Sequence, residues 1–279
     1  MDTYVYVAVL LAAVLHAGWN SVVKIGLDRK ATIVLLAMVQ ALVAMPLLPF
    51  VLAPAREAWG WIIVAALLHT GYKIFLVEAY ARADLSQVYP LTRGAAPVLV
   101  ALFAFLVLGE RIDHVTALSL AAISGGICLI SLEGKDRSAL NGPALFFAIG
   151  TAAFTASYTL VDGLGARLAG TASGFILWMV IGDAIGMLAY WRLSVGSYRF
   201  RDLSSAWKTG GIGGAMSLGS YWIAVWAFTK APIAAVAALR ESSILFAILI
   251  ARFVLKEKFG PWRWLSAGAI ATGVIMMKR

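Results

Sequence analysis

The sequence predicts an all-α polytopic membrane protein, with ten membrane-spanning helices arranged as two inverted five-helix repeats. Three observations predict it. Apolar residues make up 62% of the 279 and charged residues only 13%, where a soluble domain has roughly half and a quarter. The apolar residues recur in blocks of about 20, the length a helix needs to cross hydrocarbon, separated by short polar hinges. The two halves of the chain also resemble each other at a nearly constant offset.

The first block, MDTYVYVAVLLAAVLHAGWN, has no basic stretch before its apolar run and no small-residue cleavage site after it. It reads as a retained span over Thr3–Ile25, not a signal peptide. Four more spans follow at Ala31–Ala53, Trp59–Ala81, Ser86–Leu108 and His114–Leu132. The second half predicts Gly142–Leu164, Ala172–Leu193, Ala206–Thr229, Ile233–Leu255 and Trp262–Met277. Hinges such as GLDRK, APAREAWG, LEGKDRSALNGP and LKEKFGPWR carry the Gly, Pro and charges that end helices.

The repeat is legible residue by residue. VLGERI (Val107–Ile112) resembles VLKEKF (Val254–Phe259), so Glu110 pairs with Glu257 at an offset of 147. The same offset pairs Arg93 with Arg240, Leu108 with Leu255 and Gly126 with Gly273. Nearer the start, HAGWNSVVKIG aligns with TASYTLVDGLG at an offset of 139, which sets Trp19 beside Tyr158. Residues 1–137 and 138–279 therefore form one repeat each. Because five is odd, the second copy enters the membrane from the opposite side, the inverted duplication found in many secondary transporters.

Several function classes are excluded or weakened. The net charge of +9 is scattered through the hinges instead of forming a stripe, so a nucleic-acid partner is not expected and the basic residues read as interface anchors. The single cysteine, Cys128, supports neither a disulfide framework nor a metal cluster, and reads as a small buried apolar residue. GGIGG has no preceding strand and no GK[ST], so it is a helix-packing stretch and not a phosphate loop. No HExxH, GxSxG or catalytic carboxylate pair appears. No cofactor and no metal are expected, and an enzyme acting on lipids within the membrane is the alternative from another class.

The stretch EAYARADLSQVYPLTRGAAPVLVALFAFLVLGERI, its echo AFTKAPIAAVAALRESSILFAILIARFVLKEKF and the opening AAVLHAGWNSVVK resemble the drug/metabolite transporter superfamily, and within it the EamA-type ten-helix transporters. The spacing from Pro90 to Glu110, followed by a glycine-containing span, carries most of this resemblance, which covers nearly the whole chain. The second copy departs from it with Ala237 in place of Pro90 and Lys256 in place of Gly109. The resemblance implies a multi-pass protein of the inner or plasma membrane that exports small solutes by alternating access.

Polar residues at bilayer depth cost about 2.5–3.5 kcal/mol for a charge at a helix centre, so each one needs a reason. Inversion sets Arg93 and Arg240 above and below one central cavity, where a guanidinium can hold an anion or close a gate. Tyr89 shares a face with Arg93, and Pro90 and Pro97 are expected to bend that helix or free a carbonyl. The first span places His16, Trp19, Asn20 and Lys24 on one face; the third repeats the pattern with His69, Tyr72, Lys73 and Tyr80. Tyr158, Tyr221, Trp222 and Trp226 are aromatic candidates for the same cavity. Glu78, Asp183 and Glu241, with the two histidines, are the proton-coupling candidates. Trp59, Trp61, Trp207, Trp262 and Trp264, near span ends, belong to the interface belt.

The arginines favour a carboxylate on the solute and the aromatics an apolar body, which together describe a small amphipathic metabolite such as an amino acid. The alternative solute is an organic cation held by Glu78 and the tryptophans, as in multidrug exporters. The partners expected are that small molecule and the lipid bilayer, with a homodimer compatible with such a chain.

Orientation pits two arguments against each other. Lys and Arg concentrate in the hinges after the odd-numbered spans, among them Arg192, Arg199, Arg201 and Lys208, which puts both termini outside the cytoplasm. The family resemblance implies the reverse. On the charge argument, a cysteine replacing Ser197 in a Cys128→Ala background is expected to resist a membrane-impermeant thiol reagent in intact cells. Ready labelling there would turn the topology over.

Overall fold

The computed structural model describes residues 1–24, 29–83, 85–130, 142–194, 207–254, 256 and 259–278; Ser197 and its hinge lie outside them. Every described element is helical. The α-helices are α1 Thr3–Lys24, α2 Arg29–Ala44, α3 Trp59–Arg82, α4 Leu85–Leu108, α5 His114–Leu129, α6 Gly142–Leu168, α7 Ala172–Ser194, α8 Trp207–Phe228, α9 Ile233–Arg240, α10 Ser243–Phe253 and α11 Pro261–Met276. Among the described residues seven stretches are long and apolar enough to cross a membrane: Thr3–Ser21, Ala31–Phe50, Arg56–Arg82, Leu91–Leu108, Gly142–Leu168, Ala172–Ser194 and Ile233–Phe253. His114–Leu129 is apolar but shorter.

Two elements depart from the expected spans for identifiable reasons. α2 stops at Ala44 and continues as a 3₁₀ turn over Met45–Phe50, because Pro46 and Pro49 bring no N–H to an α-helical ladder. The ninth span is two helices. Between them Glu241 N–H donates to Ala238 O and Ser242 N–H to Leu239 O, both at 3.1 Å, a tight i→i−3 turn. The fourth span, by contrast, runs as one helix through Pro90 and Pro97.

Packing is reciprocal between the halves. α1 lies along α8 while α6 lies along α3, so the first helix of each half covers the third of the other. α2 packs on α7 and α5 on α11. The offset-related glycines explain that last pair. A Cβ on Gly126 would come within 2.9 Å of Ile270 and 3.1 Å of Ser266 O, and one on Gly273 within 2.7 Å of Ser119 O. Each glycine lets the opposite backbone approach, the small-residue contact that drives helix association without a hydrophobic difference from lipid.

The turns after the fourth and ninth spans also match. Gly109 has φ 64° and Lys256, its counterpart, φ 56°. Lysine therefore takes the left-handed conformation that glycine takes at no steric cost. Gly109→Ala is expected to destabilise by about 1 kcal/mol and Lys256→Gly to be neutral or stabilising, read from thermal unfolding in detergent.

At the start of α5, Asp113 accepts the Thr116 N–H at 2.9 Å. That bond and one from the Thr116 hydroxyl hold its carboxyl below the ordinary carboxylate range. The cap is present above the unfolded-state value and is lost only as pH falls through the lowered one. Trp59, Trp207, Trp262 and Trp264 are exposed, as expected of a belt, whereas Trp61 packs inward. Cys128 corrects an expectation: it is exposed, not buried. Hydropathy marks a residue that avoids water, and a lipid-facing position satisfies that as well as a protein-facing one.

Candidate functional site

Three elements converge on one small cavity. α4 contributes Arg93 and Pro97, α6 contributes Thr155 and Tyr158, and the break in the ninth span contributes Arg240 and Glu241. It has room for about one water. Arg93 Nη1 donates to Glu241 Oε1 at 3.3 Å, and Nη2 donates to His16 Nε2 from α1. Glu241, next to Arg240 in sequence, thus pairs with the other arginine, because adjacent helical residues point about 100° apart. Its second oxygen, Oε2, is buried without a partner.

Arg240 is placed differently. Among the described residues no carboxylate lies within ion-pair distance of it; its guanidinium carbon sits 4.9 Å above the Tyr221 ring. Two guanidinium groups against one carboxylate leave the cavity with a net positive charge. The offset-related arginines are therefore unlike in their surroundings.

Beside the cavity the aromatic candidates form a cluster. Tyr158 stacks on His69 with centroids 4.1 Å apart, and meets Tyr72 edge-on at 5.4 Å and Tyr221 at 6.1 Å. His69 Nε2 lies 2.8 Å from Asp162 Oδ2, which also accepts the Tyr221 hydroxyl. Asp162 is fully buried and its Oδ1 has no partner. Sequence reasoning missed this residue. The signal was available: Asp162 follows Tyr158 by four, on one helical face, inside an apolar span.

One turn along α3, Lys73 pairs with Asp183 of α7, whose Oδ1 accepts the Thr70 hydroxyl at 3.2 Å. Asp183 is thus not alone at depth. It is a partner in a buried ion pair that pins α3 to α7.

The remaining candidates lie elsewhere. Trp19 meets the His16 ring edge-on at 5.1 Å with its indole N–H buried and unpartnered, and Asn20 donates back to His16 O at 2.8 Å. Glu78 is held by Arg82 and by the Tyr190 hydroxyl at 3.3 Å, at the end of α3. Tyr80 packs in a small cluster with Ala79, Val88 and Ala148. Trp222 donates to Ser173 Oγ at 2.9 Å, and Trp226 meets Tyr4 near the start of α1 with centroids 6.0 Å apart. Glu78 and the two tryptophans are not brought together. The side chains of Lys24, Tyr89 and Pro90 lie outside the described residues.

The motif glutamate has a structural task. Glu110 accepts the N–H of Ile233 at 3.1 Å and of Ala234 at 3.5 Å, capping α9 from the turn after α4. A carboxylate there meets both orphan donors and the positive end of the helix dipole. Arg167 stands 3.8 Å from it and donates to Phe228 O and Ala231 O. Together they join α4, α6, α8 and α9 at the end of the bundle that carries both termini. The spacing from Pro90 to Glu110 thus runs from the second turn of α4 to this latch.

The family model for the EamA-like transporter family matches residues 3–132 and 142–279. A crystal structure, described in print only as that of a protein, shares the fold with a TM-score of 0.80 at 14% identity, over 99% of this chain and 96% of its own. No curated protein matches the sequence.

Proposed function

The chain belongs to the EamA-like transporter family and is a multi-pass membrane transporter, and from that premise we propose that it carries a small amphipathic metabolite with a carboxylate, such as an amino acid. The observation that carries this reading is Arg240: a guanidinium lining the central cavity, with no carboxylate partner among the described residues. A solute carboxylate supplies what it lacks in a bidentate geometry suited to arginine. The unpartnered Glu241 Oε2 next to it would take an ammonium, and the rings of Tyr158, Tyr221 and Tyr72 an apolar body.

Transport proceeds by alternating access of two inverted five-helix repeats, a reading supported by the reciprocal packing of α1 on α8 and α6 on α3 and by the paired left-handed turns. When the metabolite is in excess inside the cell, its own gradient makes the net direction export. Proteoliposomes loaded with labelled L-phenylalanine test the reading: efflux faster than from protein-free vesicles, blocked by excess unlabelled L-phenylalanine but not by L-phenylalaninol, is expected. Equal competition by the alcohol would remove the carboxylate from the mechanism.

A further inference from the structure

Buried polar atoms without a partner mark what the bundle leaves open. Among the described residues most of them are hydroxyls, those of Ser124, Ser242, Ser243 and Ser266, which turn about their own bonds and can donate or accept. A carboxylate oxygen has no such freedom, because it only accepts. Two carboxylate oxygens are left in this state: Glu241 Oε2, in the cavity wall, and Asp162 Oδ1.

Asp162 lies on the cavity's own face of α6. Thr155, Tyr158 and Thr159 line the cavity. At about 100° per residue, Asp162 falls within the arc these three occupy, about 4.5 Å beyond Thr159 along the helix axis. Its Oδ2 accepts the Tyr221 hydroxyl and faces His69 Nε2 at 2.8 Å. Oδ1 of the same carboxyl has nothing, and none of the residue's surface is exposed.

Tyr221 sets the spacing. Arg240 lies over its ring, 4.9 Å from the centroid, and its hydroxyl reaches Asp162. One aromatic ring therefore spans from the arginine that takes a carboxylate to the acceptor beyond it. The rings of Tyr158, Tyr72 and His69 wall the same interval.

We propose that Asp162 is a specificity-determining residue: its Oδ1 accepts a hydrogen bond from a hydroxyl or amine at the end of the solute remote from the carboxylate, so that a ring bearing such a donor is preferred to a bare one. This rests on the proposed function, since Arg240 fixes the other end of the solute. A donor meets the unpartnered oxygen with a charge-assisted hydrogen bond. A bare ring leaves that oxygen buried and unpaired, and an ether on the ring sets acceptor against acceptor. The preference is thus exclusion as much as attraction.

Competition against labelled L-phenylalanine in wild-type proteoliposomes tests this. L-Tyrosine or para-amino-L-phenylalanine is expected to inhibit at concentrations on the order of tenfold below those needed of unlabelled L-phenylalanine, with para-methoxy-L-phenylalanine no better than the bare ring. Tyrosine as the stronger of the two assigns a hydroxyl, the amino compound an amine. In Asp162→Asn the amide oxygen takes the place of Oδ2, where Tyr221 donates, and turns the NH2 toward the place of Oδ1. The advantage of tyrosine over the methoxy compound is expected to vanish or reverse there, a ratio that does not depend on how much protein is folded. Equal inhibition by donor-bearing and bare rings in the wild type would overturn the proposal and leave the carboxylate site standing, and that series needs no variant to fold. So would an Asp162→Asn protein that keeps the wild-type order. If L-phenylalaninol competes as well as L-phenylalanine, the proposed function fails and the subsite falls with it.

Discussion

Arg240→Ala is expected to lower kcat/KM for the transported solute by on the order of a hundredfold while leaving the amount of folded protein in the membrane unchanged. The size follows from removing a charge-assisted, bidentate partner in a desolvated cavity, an effect of about 2–5 kcal/mol at about 1.4 kcal/mol per factor of ten. The unchanged folding follows from the surroundings of Arg240, which has no ion pair to lose among the described residues. Arg240→Lys is expected to recover only part, since an ammonium cannot make the planar two-point contact. Arg93→Ala differs. It strands Glu241, whose second oxygen is already unpartnered, so about 3–5 kcal/mol of stability is expected to go with the transport. Detergent thermal shifts measured beside flux separate the two cases, and a normal flux in Arg240→Ala would refute the carboxylate site.

The second large effect is expected at Lys73 and Asp183. Each is buried and neither has another ion-pair partner among the described residues, so Lys73→Met should destabilise by about 3–5 kcal/mol by leaving Asp183 as an uncompensated charge. The double variant Lys73→Met with Asp183→Leu should recover most of that loss, because apolar replacement of a buried pair is often neutral. A double-mutant cycle on unfolding in detergent reads it directly. If the double variant regains stability but not flux, the pair serves the transport cycle as well as the fold.

Much of this architecture was legible in the sequence because its period is long and its solvent is uniform. A block of about 20 apolar residues has few alternatives to a spanning helix, since every backbone polar group must be satisfied within the segment. The described helices accordingly begin and end within a few residues of the expected spans, except that the second turns 3₁₀ at its prolines and the ninth is broken in two at Glu241. The 147-residue offset paired Gly126 with Gly273, and the structure sets both at the α5–α11 crossing; of the α1 face read from His16, Trp19, Asn20 and Lys24, His16 meets Arg93.

Partnerships were not legible. Sequence spacing says which residues share a helical face, but it does not say which face of which other helix lies opposite. Asp183 looked alone until α7 met α3, and Asp162 carried no weight until His69 and Tyr221 were seen to converge on it. Trp222 and Trp226 passed as cavity aromatics because their depth along α8 is readable while their azimuth is not. Composition and periodicity thus determined by themselves that the chain is a membrane-embedded helical protein with a duplicated plan. Tertiary packing decided which of two equivalent arginines is neutralised, since an ion pair is a property of two helices and only the break at Glu241 brings its carboxylate to Arg93 while leaving Arg240 on the face of Tyr221.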